Sequence, residues 1–262
     1  LAIVPFIAKY FITNINQKKL LKNFVRPKSF DKNVVVIGAG SAGLVASLIV
    51  AKAKAKVLLV EKHKMGGDCL NTGCVPSKSL IRSGRIMSYI KRGKEFGIGN
   101  SSGEVDFREV MKRVQGIIAA IEPHDSVERF TSLGVEVEIG EAEIKSPYCV
   151  AVNGKEITTR SIIIATGARP LVPLIPGLEN INYLTSDTIW SLTELPKRLL
   201  VVGGGAIGCE LSQAFNNLGS NVTQVDLSSR ILPREDEEVS TLVMDRFKAE
   251  GIAVLTDHRL NK

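Results

Sequence analysis

Cys69 and Cys74 stand five positions apart in Gly66-Gly67-Asp68-Cys69-Leu70-Asn71-Thr72-Gly73-Cys74-Val75-Pro76-Ser77-Lys78, with glycines before and between them. A regular helix rises about 1.5 Å per residue, so five steps set two alpha carbons too far apart for a disulfide, which wants about 5.5 Å. The pair can bridge only if Asn71-Thr72-Gly73 is wound irregularly and Cys74 lies at or near a helix start. A helix start is also where free N–H groups and positive potential stabilise a thiolate. Pro76 supports such a start, and Lys78 places a cation one turn beyond Cys74. The spacing suits a disulfide built to open and close. An inert staple would constrain little chain entropy across so short a loop. A zinc site lacks a second Cys/His pair in register.

Two further motifs would bind rather than react. Val34-Val35-Val36-Ile37 reads as a short buried strand, followed by Gly38-Ala39-Gly40-Ser41-Ala42-Gly43 and an apolar helix through Val50. Strand, G-x-G-x-x-G and helix in that order form a dinucleotide-binding turn: the glycines allow the tight turn, close approach of a pyrophosphate, and helix-on-strand packing. The second strand, Val57 to Val60, ends at Glu61, where a carboxylate can accept from ribose hydroxyls. The pattern then repeats. Leu199 to Val202 is a strand, Gly203-Gly204-Gly205-Ala206-Ile207-Gly208 the loop, and Cys209 to Leu218 the helix. Val222 to Val225 follows, ending at Asp226. An acid there favours a free 2′-hydroxyl and repels a 2′-phosphate, so NADH is preferred over NADPH; Arg230 and Arg234 nearby weaken that preference.

Between the motifs, Asp106 with Glu109 makes a capping box for a helix to Ile121, with Val110, Val114, Ile117, Ile118 and Ile121 as its core face. His124, beyond Pro123, reads as a helix-end residue. Val135 to Ile139 alternates like a strand, and Ala151 to Ile157 reads as a hairpin turning at Asn153-Gly154. Ser161 to Ala165 is another buried strand, ending at Thr166-Gly167.

At 262 residues with 23 Gly and 5% aromatics, the chain reads as α/β, large enough for one large domain or two ordinary ones. Cys149 and Cys209 are isolated and read as packing residues, so the chain has no secreted disulfide framework and suits a reducing, cytoplasmic setting. Of the net charge of +7, six charges come from Lys9, Lys18, Lys19, Lys22, Arg26 and Lys28, before the first acid at Asp31. The body is nearly neutral, which argues against a nucleic-acid partner. The apolar run Leu1 to Ala8 is too short to span a bilayer alone. With its basic flank it reads either as the end of a membrane helix at the cytoplasmic face or as an amphipathic leader.

The segment Gly66 to Lys78 closely resembles the redox-disulfide signature of the class I pyridine nucleotide-disulfide oxidoreductases, flavin disulfide reductases such as dihydrolipoamide dehydrogenase, glutathione reductase and mercuric reductase. Asp68 and Thr72 depart from its usual Thr and Val without altering the sulfur chemistry. The resemblance runs over residues 33 to 262 and implies two Rossmann-like domains with parallel central sheets, the second truncated. The implied organisation is a leader over 1–32, an FAD-binding domain with the redox disulfide over 33–190, and the start of an NAD(P)-binding domain over 191–262.

By the same resemblance, FAD uses Gly38, Gly40, Gly43, Glu61, Gly67, Lys78, Ala142, Thr166 and Gly167, and NAD(H) uses Gly203, Gly205, Gly208, Glu210 and Asp226. Cys74 is then the flavin-facing thiol and Cys69 the exchange thiol. Lys78 lies by the flavin and can pair with Glu210. Electrons would pass from NAD(P)H to FAD, to the Cys69–Cys74 disulfide, and on to a small disulfide or to Hg(II). The whole enzyme would be a homodimer. An FAD-binding, membrane-associated module without turnover is the other class of reading.

The family's C-terminal His-Glu pair has no counterpart among His63, His124 and His258. The chain therefore reads as a fragment, with only two strands over 191–262 and an open sheet edge.

Overall fold

The computed structural model describes residues 20–261. The leader up to Lys19, with the membrane-flank reading attached to it, lies outside them. Among the described residues no helix is long and apolar enough to cross a membrane. In chain order the elements are β1 (Lys32–Ile37), α1 (Ser41–Lys52), β2 (Val57–Glu61), α2 (Gly67–Asn71) and α3 (Cys74–Lys91). After these come α4 (Phe107–Ile121), α5 (Val127–Ser132), β3 (Glu136–Ile139), β4 (Ala142–Ser146), β5 (Cys149–Val152) and β6 (Lys155–Ile164). Finally come β7 (Arg198–Val202), α6 (Ala206–Leu218), β8 (Asn221–Val225), α7 (Glu237–Ala249) and β9 (Ala253–Leu255).

The described residues form two compact units, each discontinuous in sequence: those up to 67 with 124–167, and 68–123 with those from 168 on. The first holds a six-stranded sheet in the order β3-β2-β1-β6-β5-β4. Its centre is parallel: β1 pairs with β2 and β6, and β2 with β3. β1 and β2 are rich in Val, Ile and Leu because both their faces are covered, with Val35, Val36, Leu58, Leu59 and Val60 at 1% exposure or less. β4, β5 and β6 form an antiparallel extension. Asn153 and Gly154 both take positive φ (50° and 76°), which a two-residue hairpin of this twist requires.

Ser161 to Ile164 is not a separate buried strand. It is the far half of β6, which leaves its antiparallel pairing with β5 to run parallel to β1. Ile164 at its end is exposed.

The second unit holds β7-β8-β9, all parallel. Three strands form where two were expected, because Ala253-Val254-Leu255 pairs with Thr223, Gln224 and Val225. The core of this unit joins α3, α4, α6 and α7 through Leu80, Phe107, Met111, Val114, Phe215 and Phe247, with Trp190. The buried face of α4 is therefore Phe107-Met111-Val114, rotated from the expected stripe, in which Ile117, Ile118 and Ile121 are only half-buried. Asp106 caps that helix by accepting from the Glu109 N–H, as the capping box requires.

Candidate active site

The two cysteines sit on either side of a helix break. Asp68 O accepts from the N–H groups of both Thr72 (2.9 Å) and Gly73 (2.5 Å), which closes α2 after a single turn. Gly73 takes φ −115° and ψ −109° and caps α3. A Cβ on Gly73 would stand 2.9 Å from Asp68 O, so a larger residue would force the turn open. Ser77 N–H then donates to Gly73 O, and α3 begins at Cys74. The irregular step expected from the spacing is thus present, and it leaves Cys69 as the largest influence on the Cys74 thiol. Both are free thiols, Cys69 half-buried and Cys74 exposed.

The expectation of a thiolate-favouring Cys74 is corrected for this dithiol. Its pKa is raised, first by the hydrogen bond with Cys69, then by burial and by the Cys69 charge. Its own N–H at the helix start and Lys78 pull the other way and are outweighed. Burial also pushes the Cys209 and Cys149 thiols up, which fits their reading as packing residues.

Trp190 holds the loop between the cysteines, a contact that spacing did not reveal. Its Nε1–H reaches Thr72 O at 2.7 Å and Ser186 O at 2.8 Å, tying the loop between the cysteines to the core. It is the chain's single Trp, and only that singularity could have drawn notice.

One turn past Cys74, Lys78 Nζ donates to Glu210 Oε1 and Oε2 at 2.9 and 3.0 Å. Glu210 is on α6, and the two helices can lie this close because of Gly84. A Cβ there would already be 3.1 Å from Ala214 O and 3.4 Å from Asn217 Cβ. A groove of about 580 Å³ runs along α3, α6 and α7, with this ion pair in its wall.

In the first unit the glycine turn is built as its pattern requires. Gly38 has φ +102°, and a Cβ on it would fall 2.3 Å from Ala165 O; one on Gly43 would fall 1.7 Å from Gly38 O. Among the described residues Gly40 caps α1 without a side-chain bond, and Gly67 packs against Gly40 so closely that a Cβ would fall 2.5 Å from Gly40 Cα. Glu61 accepts from the Ala39 N–H (2.7 Å) and the His63 N–H (2.8 Å), which aims its carboxylate at the turn. Thr166 and Gly167 leave β6 beside Gly38, and Ala142 begins β4 opposite Val152. This open N-terminus with a steered acid fits a dinucleotide such as FAD.

The second unit repeats the device. α6 starts at Ala206, three residues ahead of the expected Cys209, so Gly208 lies inside its first turn against Gly203 O. Gly205 caps it with no side-chain bond and no atom near its missing Cβ. Asp226 accepts from Gly204 N–H (2.5 Å) and Ser228 N–H (2.6 Å). Burial raises its pKa, but these bonds outweigh burial and hold it below the usual carboxylate value. Arg230 bonds back to Pro233 O, and Arg234 is exposed.

Residues 32–262 match the family model described as pyridine nucleotide-disulphide oxidoreductase. The chain is 36% identical to a mercuric reductase of Bacillus cereus, over 87% of this chain and 36% of that protein. It is 35% identical to a dihydrolipoyl dehydrogenase of Acholeplasma laidlawii, over 89% of this chain and 71% of that protein. The solved Cu(II) complex of the HOCl-induced flavoprotein disulfide reductase RclA of Escherichia coli superposes with a TM-score of 0.75 at 28% identity, over 87% of this chain and 50% of that one. The chain spans 36 to 45% of the length of the mercuric reductases it matches. With paired thiols at a broken helix, two open glycine turns and a family match along nearly its whole length, this chain belongs to the pyridine nucleotide-disulphide oxidoreductases.

Proposed function

We propose that this chain belongs to an NADH-dependent flavin disulfide reductase of the dihydrolipoamide dehydrogenase type, with Cys69 and Cys74 as its redox disulfide. The observation that carries this reading is the Gly73 helix break, which sets Cys69 and Cys74 on either side of it with Cys69 as the main influence on the Cys74 thiol. Cys69 is the exchange thiol. Its thiolate attacks a sulfur of the substrate disulfide, expelling one substrate thiol and leaving a mixed disulfide. Cys74, as its thiolate, then attacks Cys69 Sγ and releases the second thiol. Two electrons and two protons leave the cysteine pair, and Cys69–Cys74 is left oxidised.

FAD, when bound, supplies the two-electron link between pyridine nucleotide and the cysteine pair. Gly38, Gly40, Gly43, Glu61 and Gly67 would hold it, with Ala142, Thr166 and Gly167; the open α1 N-terminus supports this. Lys78, fixed by Glu210, is the cation assigned to the flavin. Gly203, Gly205 and Gly208 would take the pyridine nucleotide, and Asp226 favours NADH. The FAD-domain and NAD(P)-domain division at residues 190/191 belongs to this reading, as does a homodimeric whole protein. Hg(II) as the electron acceptor is the second reading, favoured by the mercuric reductases among the relatives.

The test uses the full-length protein. Titration of FAD-loaded protein with NADH should produce a long-wavelength thiolate-to-flavin absorbance that Cys74→Ser abolishes and Cys69→Ser retains. Turnover with lipoamide supports the first substrate and turnover with Hg(II) the second. Reduction by NADH with no such absorbance would overturn the cysteine assignment.

A further inference from the structure

The two glycine turns are not held in the same way. Gln224 lies one residue from the end of β8, fully buried, where the first unit's equivalent position carries Leu59, also fully buried. Gln224 Nε2 donates to Gly203 O at 2.9 Å. Two residues along the same strand direction, and so on the same face, Asp226 Oδ2 accepts from Gly204 N–H. Gly203 C=O and Gly204 N–H belong to one peptide unit, which is planar and turns as a whole. One side chain therefore grips each end of that plane. Gly203 has φ +116°, so no side chain of its own limits its rotation. In the first unit, Glu61 makes the corresponding bond to Ala39 N–H, but Leu59 has no donor for the carbonyl end.

Gln224 has a cost that packing does not return. Among the described residues its Oε1 is buried with no hydrogen-bond partner, and its Nε2 otherwise reaches only Cys209 Sγ at 3.5 Å. An unsatisfied buried acceptor destabilises the fold, and Leu59 demonstrates that an apolar residue fits the same place in the same architecture. A buried amide in a strand core whose bond serves the loop is placed for the loop.

We propose that Gln224 is a positioning residue for the pyridine nucleotide: by fixing the Gly203–Gly204 peptide plane it presets the turn and the Asp226 carboxylate. This rests on the reading of Gly203–Gly208 as the pyridine nucleotide loop. Without the amide, the Gly203 carbonyl loses its side-chain donor. The peptide is then held at its N–H end alone, by Asp226, and is freer to rotate about it.

The experiment compares Gln224→Leu, which installs the first unit's residue, and Gln224→Met, nearly isosteric but without a donor, in the full-length FAD-loaded protein. Dissociation constants for NADH, FAD content, melting temperature and hydrogen exchange at the Gly204 amide are measured together. Both variants should bind NADH about tenfold more weakly, the scale of one lost hydrogen bond. The Gly204 amide should lose protection, while FAD content and melting temperature stay near wild type. Unchanged NADH affinity and Gly204 protection would overturn the proposal. So would failure of both variants to fold, or weaker binding that merely tracks a lowered melting temperature, since either makes Gln224 a stability residue. If the wild type binds no NADH, the reading of the loop fails instead, and the Gly204 exchange still decides whether Gln224 holds the peptide.

Discussion

Lys78 Nζ stands between the two carboxylate oxygens of Glu210, 2.9 and 3.0 Å away, tying the helix that starts at Cys74 to the helix that follows the second glycine turn. Both side chains are well exposed, at 62% and 43%, so water screens the pair and its contribution to stability is small. Glu210→Gln should therefore cost less than about 1 kcal/mol in denaturant unfolding. In the proposed enzyme it should nonetheless make the flavin harder to reduce, because Lys78 loses its anchor. A large loss of stability with an unchanged flavin potential would reverse this assignment.

The Cys74 pKa should depend on its partner. In the dithiol, the Cys69 hydrogen bond is the largest influence raising it, with burial next and the Cys69 charge after that. Cys69→Ala removes the first and third, leaving the helix-start N–H and Lys78 to act against burial alone. The Cys74 thiolate should then form at lower pH than in the dithiol. The pH dependence of alkylation at Cys74 measures this, and a shift to higher pH would contradict it.

Trp190→Phe keeps the ring in the core but removes the donor shared by Thr72 O and Ser186 O. Loss of about 1–2 kcal/mol in unfolding free energy is expected. The loop between the cysteines should also loosen, so that disulfide formation between Cys69 and Cys74 changes rate. Unaltered stability together with an unaltered rate of closure would show the tether to be idle.

Gly40 and Gly43 should fail differently. A Cβ on Gly43 meets Gly38 O at 1.7 Å, so Gly43→Ala must displace the turn itself and lower the melting temperature. A Cβ on Gly40 meets nothing closer than Gly67 Cα at 3.8 Å, so Gly40→Ala should fold normally and lose FAD by blocking the ligand's approach. Equal FAD content in Gly40→Ala and wild type would remove Gly40 from the proposed FAD site.

In the proposed enzyme, Asp226→Ala should narrow the proposed preference for NADH over NADPH by about 1–2 kcal/mol, the scale of a charged hydrogen bond. Steady-state kinetics with both nucleotides measure it. A protein that prefers NADPH from the outset would shift attention to Arg230 and Arg234.

The order of strand, glycine turn, helix and acid could be read twice from the chain alone, because each step is local: buried β-branched runs, glycines where backbone must approach backbone, and a carboxylate one strand later. Gly73 between the cysteines was equally legible, since five regular helical steps could not bring their sulfurs together. Tertiary packing decided the rest. Asp68 O chose how the chain turns at Gly73, and the contact with Cys69 reversed the expected sign of the Cys74 shift, because a neighbouring sulfur outweighs a helix end. Ala253 to Leu255 became a third strand only by pairing with β8, a partner that a three-residue run cannot announce. Trp190 and Gln224 act on the two loops from 118 and 21 residues away in sequence, distances over which spacing carries no signal and only a shared core brings donor to carbonyl.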